Sequence, residues 1–263
     1  MRRAGRRPPA PVLVAAAVAL VFFAIPLVGI VQRANWSTIW HDLTTAEARD
    51  ALALSLVCSL SAAALSVAFG TPLAWMLART QLPGRPLLRG LVLLPMVLPP
   101  VVGGVALLSA FSLSSPIGGW LHDTFGIQFT FTTAGAVMAE TFVAMPFYVI
   151  TVEGALRGMD QRFEEAAASL GAARLTVFRR VTLPFILPSV VAGTLLAWAR
   201  ALGEFGATIT FAGNIAGRTR TLPLAVYLEL ESDTEAAIAL SLVLLAVSLV
   251  VLVSLRDRWI RAT

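Results

Sequence analysis

Three side-chain types that often carry out chemistry, lysine, cysteine and histidine, are absent or scarce in this sequence. The chain has 20 arginines and no lysine, which excludes a phosphate-binding P-loop and a lysine Schiff base. Its single cysteine, Cys58, can form neither an internal disulfide nor a multi-cysteine metal site. His41 and His122 lie far apart in polar stretches. We therefore expect no catalytic residues and no metal site.

Three charged residues lie inside apolar stretches: Glu140, Arg200 and Glu204. A charge in the middle of a membrane costs about 2.5–3.5 kcal/mol on insertion scales, so each is a candidate for function. Arg200 and Glu204 are four residues apart, which places them on one face of a helix where they can pair. Two interpretations stay open. The pair is structural, or Arg200 faces a pathway and offers its planar donor fork to an oxyanion. Glu140 has no local partner, which predicts a buried, protonated acid facing another helix.

The most informative polar segment spans residues 162–178 and reads RFEEAAASLGAARLTVF. Four residues at i, i+3, i+4 and i+7 form the apolar face of a short helix: Phe163, Ala166, Ala167 and Leu170. Asp160 is a candidate N-cap, and Glu164 and Glu165 place negative charge in the first turn. Gly171 interrupts the pattern. Glutamates beside a small, alanine-rich face favour docking into a partner's groove over lying on anionic lipid.

The composition shows what must position these residues. Of 263 residues, 57% are hydrophobic and 13% are charged, and the mean hydropathy is +0.81. An ordinary soluble chain has about 45–50% apolar and about 25% charged residues. The chain cannot cover its apolar residues with its own charges, so lipid is the predicted solvent for most of it.

Six apolar runs are long enough to cross about 30 Å of hydrocarbon, which takes about 20 helical residues. They are residues 11–31, 51–78, 90–111, 132–150, 185–211 and 236–255. The sequence therefore predicts an all-α polytopic membrane protein with six transmembrane helices. The third run contains Pro95, Pro99 and Pro100, so it cannot be one straight helix. Such a break predicts that this helix is internal to a bundle.

The arginines fall mostly on one side of these runs. Fifteen of the 20 lie in the N-terminal segment, the second and fourth loops and the tail, and four lie in the alternate segments. Because arginine is retained in the cytoplasm, both termini are predicted to be cytoplasmic. The absence of lysine and the abundance of alanine indicate a GC-rich bacterial genome, so the predicted location is a bacterial plasma membrane. The predicted organisation is a basic N-terminus (1–10), a transmembrane domain (11–256) with a cytoplasmic loop at about 160–184, and a tail (257–263). The arginines are explained as topology signals, so no nucleic-acid partner is expected.

The fourth loop resembles the EAA signature of binding-protein-dependent ABC importer permeases. That pattern is Glu-Ala-Ala, three residues, Gly, nine residues, Ile, one residue, Leu-Pro, and this chain departs from it only at Val181. The resemblance implies a type I ABC importer permease fold, with a coupling helix that docks onto a separate ATPase. It assigns ATPase coupling to Glu165, Ala166, Ala167, Gly171, Leu183 and Pro184. ATP and Mg would be bound by the partner ATPase, and this chain would bind no cofactor.

A second block looks like molybdate permease subunits: ALGEFGAT at 201–208, followed by TRTLPLAVY at 219–227. Sulfate and thiosulfate permeases carry a related stretch, usually with Gly-Glu-Tyr-Gly. Phe205 and the later Thr-Arg-Thr-Leu-Pro run favour molybdate, or tungstate, as the cargo. The resemblance implies a homodimeric pore, an extracytoplasmic oxyanion-binding protein and two ATPase subunits. Arg200, Glu204, Phe205 and Gly206 become candidate pathway or gating residues.

Two other classes of function are weaker. An ion-coupled secondary transporter would need intramembrane acids, for which Glu140 and the Arg200/Glu204 pair are the support. An intramembrane enzyme would need a nucleophile, a base and a metal set in a span, which the sequence lacks. Within the ABC permease class, a sulfate, thiosulfate or tungstate cargo remains the alternative to molybdate.

Overall fold

The computed structural model describes residues 9–259, which form helices connected by short turns, without a strand in that range. In chain order the helices are α1 (Ala10–Arg33), α2 (Ile39–Thr44), α3 (Ala46–Arg79), α4 (Arg85–Val97), α5 (Pro100–Phe111), α6 (Pro116–Phe125), α7 (Thr133–Gly158), α8 (Arg162–Ser169), α9 (Arg174–Val177), a π-helical turn (Phe178–Thr182), α10 (Leu183–Leu202), α11 (Gly206–Phe211), α12 (Leu222–Ser232) and α13 (Thr234–Trp259). Most of the predicted basic N-terminus and the last four residues of the predicted tail lie outside the described residues.

Four helical segments in the described part of the chain are long and apolar enough to cross a membrane. They are α1, α3, α7 and the continuous segment Arg174–Leu202, and a fifth is added if α4 and α5 together count as one broken span. The predicted sixth span lies in α13, whose apolar part, Thr234–Val250, is shorter. The chain is thus a helical, multi-pass membrane protein. The count of six spans stays a prediction.

The third predicted span is broken, as its prolines indicate. Helix α4 ends at Val97, α5 begins at Pro100, and the two axes differ by 118°. A proline has no N–H to donate to the preceding turn and its ring clashes with that turn. Pro99 and Pro100 therefore end one helix and begin the next, and the bend is far larger than a kink within a single helix.

The fifth predicted span, 185–211, is wrong in its extent. The helical segment begins earlier, at Arg174, and ends at Leu202, and α11 follows as a separate helix of six residues. Residues 203–205 are not helical. Continuous apolarity predicted one helix here, and Gly203 is no stronger a signal for a break than Pro188 and Gly193, which lie within α10. The break depends on tertiary contacts described below.

Helices α3, α7 and α10 form the centre of the molecule and approach one another through small residues. Glycines on α3 and α10, Gly70 and Gly193, lie against the ring of Tyr148, which is fully buried on α7. A Cβ at Gly70 would lie 2.7 Å from a ring carbon of Tyr148. The Tyr148 hydroxyl is 2.6 Å from the Thr71 hydroxyl. Small residues with a few polar contacts are how helices associate closely when lipid supplies no hydrophobic drive.

The two broken segments also pack against each other, α5 against α11. A Cβ at Gly104 would lie 2.9 Å from the Ala207 carbonyl oxygen, and closer still to the Thr210 hydroxyl. A Cβ at Gly206 would lie 2.8 Å from the Cβ of Pro100. The first residue of α11 therefore packs directly against the first residue of α5, so the two helix breaks are in contact.

We predict that Gly104→Ala destabilises the protein whereas Gly154→Ala does not. Alanine at 104 must displace backbone, and overpacking of this kind costs about 1–3 kcal/mol. Nothing lies within 4 Å of a Cβ at Gly154, where alanine gains about 0.5–1 kcal/mol over glycine in a helix. The measurement is thermal unfolding of the two purified variants in detergent. Equal midpoints for both would contradict the close α5–α11 packing.

Candidate functional site

Helix α8 carries the Glu-Ala-Ala motif, and both of its ends are defined by local hydrogen bonds. The Arg162 backbone N–H donates to the Asp160 carboxylate at 3.0 Å. Asp160 itself is not the N-cap as predicted, because the N-cap position is Gln161, whose side chain makes no capping hydrogen bond. At the other end the Ala172 N–H donates to the Ala167 carbonyl at 3.2 Å, and the Gly171 N–H donates to the Ala168 carbonyl at 2.9 Å. This is a Schellman motif, with Gly171 at φ +84° in the left-handed position that glycine adopts without strain.

The apolar face of α8 is uncovered in the described chain. The side chain of Phe163 is 61% exposed and that of Leu170 is 90% exposed, and Leu175 in α9 is 63% exposed. Ala166 is exposed and Ala167 half-buried. The α8 face, defined here as Phe163, Ala166, Leu170 and Leu175, is therefore a projecting apolar surface on a polar loop. Glu165 is also exposed on this helix.

Glu164, rather than the motif residue Glu165, ties α8 to the helix bundle. One carboxylate oxygen lies 3.1 Å from Nε of Arg79 at the end of α3, and the other accepts a hydrogen bond from the Thr182 hydroxyl at 2.6 Å. The Arg79 side chain is only 7% exposed, so this pair is shielded from water. The sequence analysis used Glu164 only as a charge near a helix N-terminus. An arginine ending the second apolar run was the available signal for a partner.

Leu183 and Pro184 stand where a π-helical turn becomes α10. The Leu183 N–H donates to the Phe178 carbonyl, and the next residue, Pro184, occupies the first turn of α10. Because Pro184 has no N–H to continue the α-helical pattern, the preceding turn widens instead of breaking. Leu183 packs against the α3–α7–α10 core. The Leu-Pro of the motif thus lies at the joint between the loop and a span.

Arg200 and Glu204 pair as predicted, but not along one helical face. Nη1 of Arg200 lies 2.7 Å from a carboxylate oxygen of Glu204, and Glu204 stands outside the helix, in the break between α10 and α11. Its other carboxylate oxygen accepts the Ala207 N–H at 2.8 Å. The Glu204 side chain is 1% exposed and that of Arg200 is 28% exposed. Glu204 therefore caps α11 and balances the charge of Arg200 at the same time.

The other two candidate pathway residues flank this break. The ring centroids of Phe205 and of Tyr227 in α12 are 5.1 Å apart. Gly206 begins α11 and meets Pro100, as described above. Glu140 on α7 is 2% exposed, and one of its carboxylate oxygens is buried with no hydrogen-bond partner among the described residues. The structure thus brings Arg200, Glu204 and Gly206 together at the interruption, and the α8 residues together at the loop.

Comparison with known proteins identifies the family of the chain. The family model for the binding-protein-dependent transport system inner membrane component matches residues 70–262. The chain is 50% identical over 212 residues, 80% of its length and 79% of the relative's, to the molybdenum transport system permease protein ModB of Mycobacterium tuberculosis. It is 39% identical over 235 residues to the sulfate transport system permease protein CysT of Salmonella typhimurium, covering 88% of this chain and 84% of that one.

The fold is also similar to that of a solved structure. One chain of a bacterial alginate ABC transporter, crystallised in complex with an alginate pentasaccharide-bound periplasmic protein, superposes with a TM-score of 0.74 at 20% sequence identity. The superposition covers 97% of this chain and 94% of that chain. This similarity concerns the fold.

We predict that Glu204→Gln strongly destabilises the protein and that Arg200→Gln in the same chain restores part of the loss. Removing one partner of a buried ion pair costs about 3–5 kcal/mol because the other charge is left unpaired, whereas removing both is often close to neutral. The measurement is a double-mutant cycle on the midpoint of thermal unfolding in detergent. Additive losses in the double variant would contradict the pairing.

Proposed function

Because the chain belongs to the family of binding-protein-dependent transport system inner membrane components, we propose that it is the permease subunit of an ABC importer that moves molybdate into the cytoplasm. The single observation that carries this conclusion is the 50% identity, over four-fifths of the chain, to a molybdenum transport permease. The sulfate permease relative is less similar, at 39%. Sulfate and tungstate are the alternative cargoes because all three are tetrahedral dianions.

We place ATP hydrolysis on a separate ATPase that docks on the α8 face. Three large apolar side chains are exposed on this polar loop: Phe163, Leu170 and Leu175. Full burial of such a side chain stabilises a complex by about 1.5–3 kcal/mol, which supports a protein partner. Glu165, Ala166 and Gly171 are the proposed coupling positions, with Ala167, Leu183 and Pro184. The chain itself would bind neither ATP nor Mg.

The proposed transmission of force begins at Glu164. Because its carboxylate contacts both Arg79 and Thr182, a displacement of α8 is passed to the end of α3 and to the joint before α10. Those two helices belong to the tightly packed core with α7. Packed helices move as bistable bodies rather than by continuous deformation. A displacement of α8 by the docked ATPase can therefore switch the helix bundle between two arrangements.

The pathway is proposed to run beside the interruption that Glu204 caps. Non-helical backbone at membrane depth is tolerated where it is buried in protein or lines a water-filled cavity. Arg200 is only partly covered, so its remaining donors could meet a passing oxyanion while Glu204 keeps it in place. We assign Arg200 to the pathway and Glu204 to positioning it, with Phe205 and Gly206 forming the adjacent wall.

The remaining assembly follows the family. We propose a homodimer of this chain, two ATPase subunits and an extracytoplasmic oxyanion-binding protein, in a bacterial plasma membrane with both termini cytoplasmic. Helix α1 has no buried residue, which supports a role in contacting lipid or the second copy. Selection of the anion would rest mainly on the binding protein that delivers it.

We predict that Gly171→Val abolishes molybdate uptake and ATPase co-purification, whereas Gly158→Val does not. A left-handed conformation costs a non-glycine residue about 1–2 kcal/mol, and more if it is β-branched, so valine misplaces the end of α8. Gly158 lies at the end of α7, with nothing within 4 Å of a Cβ and no left-handed φ.

Uptake of labelled molybdate by cells and pull-down of the ATPase with tagged permease would be measured for both variants. Equal amounts of each variant in the membrane fraction provide the control for insertion. Normal uptake by Gly171→Val would refute the assignment of α8 to coupling.

A further inference from the structure

A cavity lined by three arginines opens between the start of α4 and the end of α7. Its volume is about 570 Å³, and its charged lining residues are Arg85, Arg89 and Arg157. Pro86, Gly90 and Leu93 complete the wall. Neither the EAA motif nor the interruption between α10 and α11 contributes to it.

One buried carboxylate lies behind this cavity. Glu153 is 1% exposed and makes two ion pairs, at 3.3 Å to Nε of Arg89 and at 2.6 Å to Nη2 of Arg157. A single carboxylate against three guanidinium groups leaves the cavity with an excess of positive charge. Glu153 holds Arg89 and Arg157 in place, because moving either arginine away would leave the buried carboxylate with a weaker ion pair.

The third arginine has no such partner. Among the side chains that the structure describes, Arg85 has no ion-pair partner, and its Nε is buried without a hydrogen-bond partner. A buried donor without a partner costs free energy unless a ligand satisfies it. Arg89 and Arg157 also keep donors to spare, because a guanidinium has five N–H groups and each gives one nitrogen to Glu153.

The lining selects the charge and shape of a ligand. Three cationic groups exclude cations, and guanidinium forks match the paired oxygens of phosphate-like anions. The start of α4 adds the positive end of a 13-residue helix. Basic pockets between membrane helices on the cytoplasmic side are also where acidic lipid headgroups bind.

We propose that Arg85, Arg89 and Arg157 form an oxyanion-binding site distinct from the transport pathway. Its ligand is a tetrahedral oxyanion, either free in solution or as the phosphate of an anionic lipid headgroup. Glu153 is a positioning residue for two of the three arginines. The placement of this site on the cytoplasmic side rests on the proposed function, whereas its anion chemistry rests on the four side chains alone. Because α7 leads directly into the loop that carries α8, an anion here would brace α4 against the helix next to the coupling segment.

The test uses Arg85→Gln because this arginine holds no other charge in place. The matched control is Arg180→Gln, which removes one positive charge from an exposed arginine in the same group of loops and does not line the cavity. The permease–ATPase complex would be placed in phosphatidylcholine nanodiscs with Mg-ADP saturating the ATPase, and titrated calorimetrically with molybdate and with orthophosphate. In a second arm, phosphatidylglycerol retained by the purified complex would be counted by native mass spectrometry.

We expect Arg85→Gln to lower the affinity for a free oxyanion, or the retained phosphatidylglycerol, by about 10- to 100-fold, the factor typical of a lost charge-assisted hydrogen bond. If Arg85→Gln lowers the calorimetric affinity for molybdate or orthophosphate, the ligand is a free anion. If it lowers the number of retained phosphatidylglycerol molecules, the ligand is a lipid headgroup. Equal values for the native chain, Arg85→Gln and Arg180→Gln in both arms would overturn the site. Failure of the proposed function would be visible separately, as unchanged molybdate uptake by cells that lack this chain.

Discussion

The break between α10 and α11 depends on the contacts that the buried carboxylate of Glu204 makes. In hydrocarbon every backbone polar group must find a partner within the protein, so a helix can stop inside a membrane only where something satisfies its free groups. Glu204 accepts the Ala207 N–H with one oxygen and faces Arg200 with the other. This allows α10 to end and α11 to begin within a few residues. The short α11 then lies against α5 through Gly104.

The sequence predicts best what is local. The apolar runs, the proline break after Val97 and the interruption of the helical pattern at Gly171 each follow from residue types within a few positions. The spacing of the EAA motif indicates the loop in the same way. The break after Leu202 could not be predicted, because a glutamate four residues after an arginine fits an unbroken helix equally well. Tertiary contacts distinguish the two cases, among them the packing of Gly206 against Pro100.

Long-range charge contacts escape sequence analysis for a related reason. Glu164 meets Arg79 across 85 residues of chain, and Glu153 meets Arg89 across 64. No pattern within a window reveals such partners. Both contacts lie at the end of the bundle that carries the loops rich in arginine. The arginines therefore also make structural contacts: one holds the loop to the helices, and three line a cavity.

The packed core of α3, α7 and α10 connects the α8 loop with the helix break near Arg200. Glu164 joins the α8 face to that core, and α10 carries Arg200 at its far end. Small residues such as Gly70 and Gly193 keep the three helices in close contact, so a displacement at one end is not absorbed by loose packing. A partner can shift such a bundle only by binding one arrangement more tightly than the other.

The most direct measurement is molybdate accumulation in proteoliposomes that contain the purified permease, with the ATPase and the binding protein added or left out. We expect ATP-dependent accumulation when all three proteins are present, and none when the ATPase is omitted. Accumulation at the full rate by the permease alone would contradict the claim that this chain is a conduit moved by a separate ATPase.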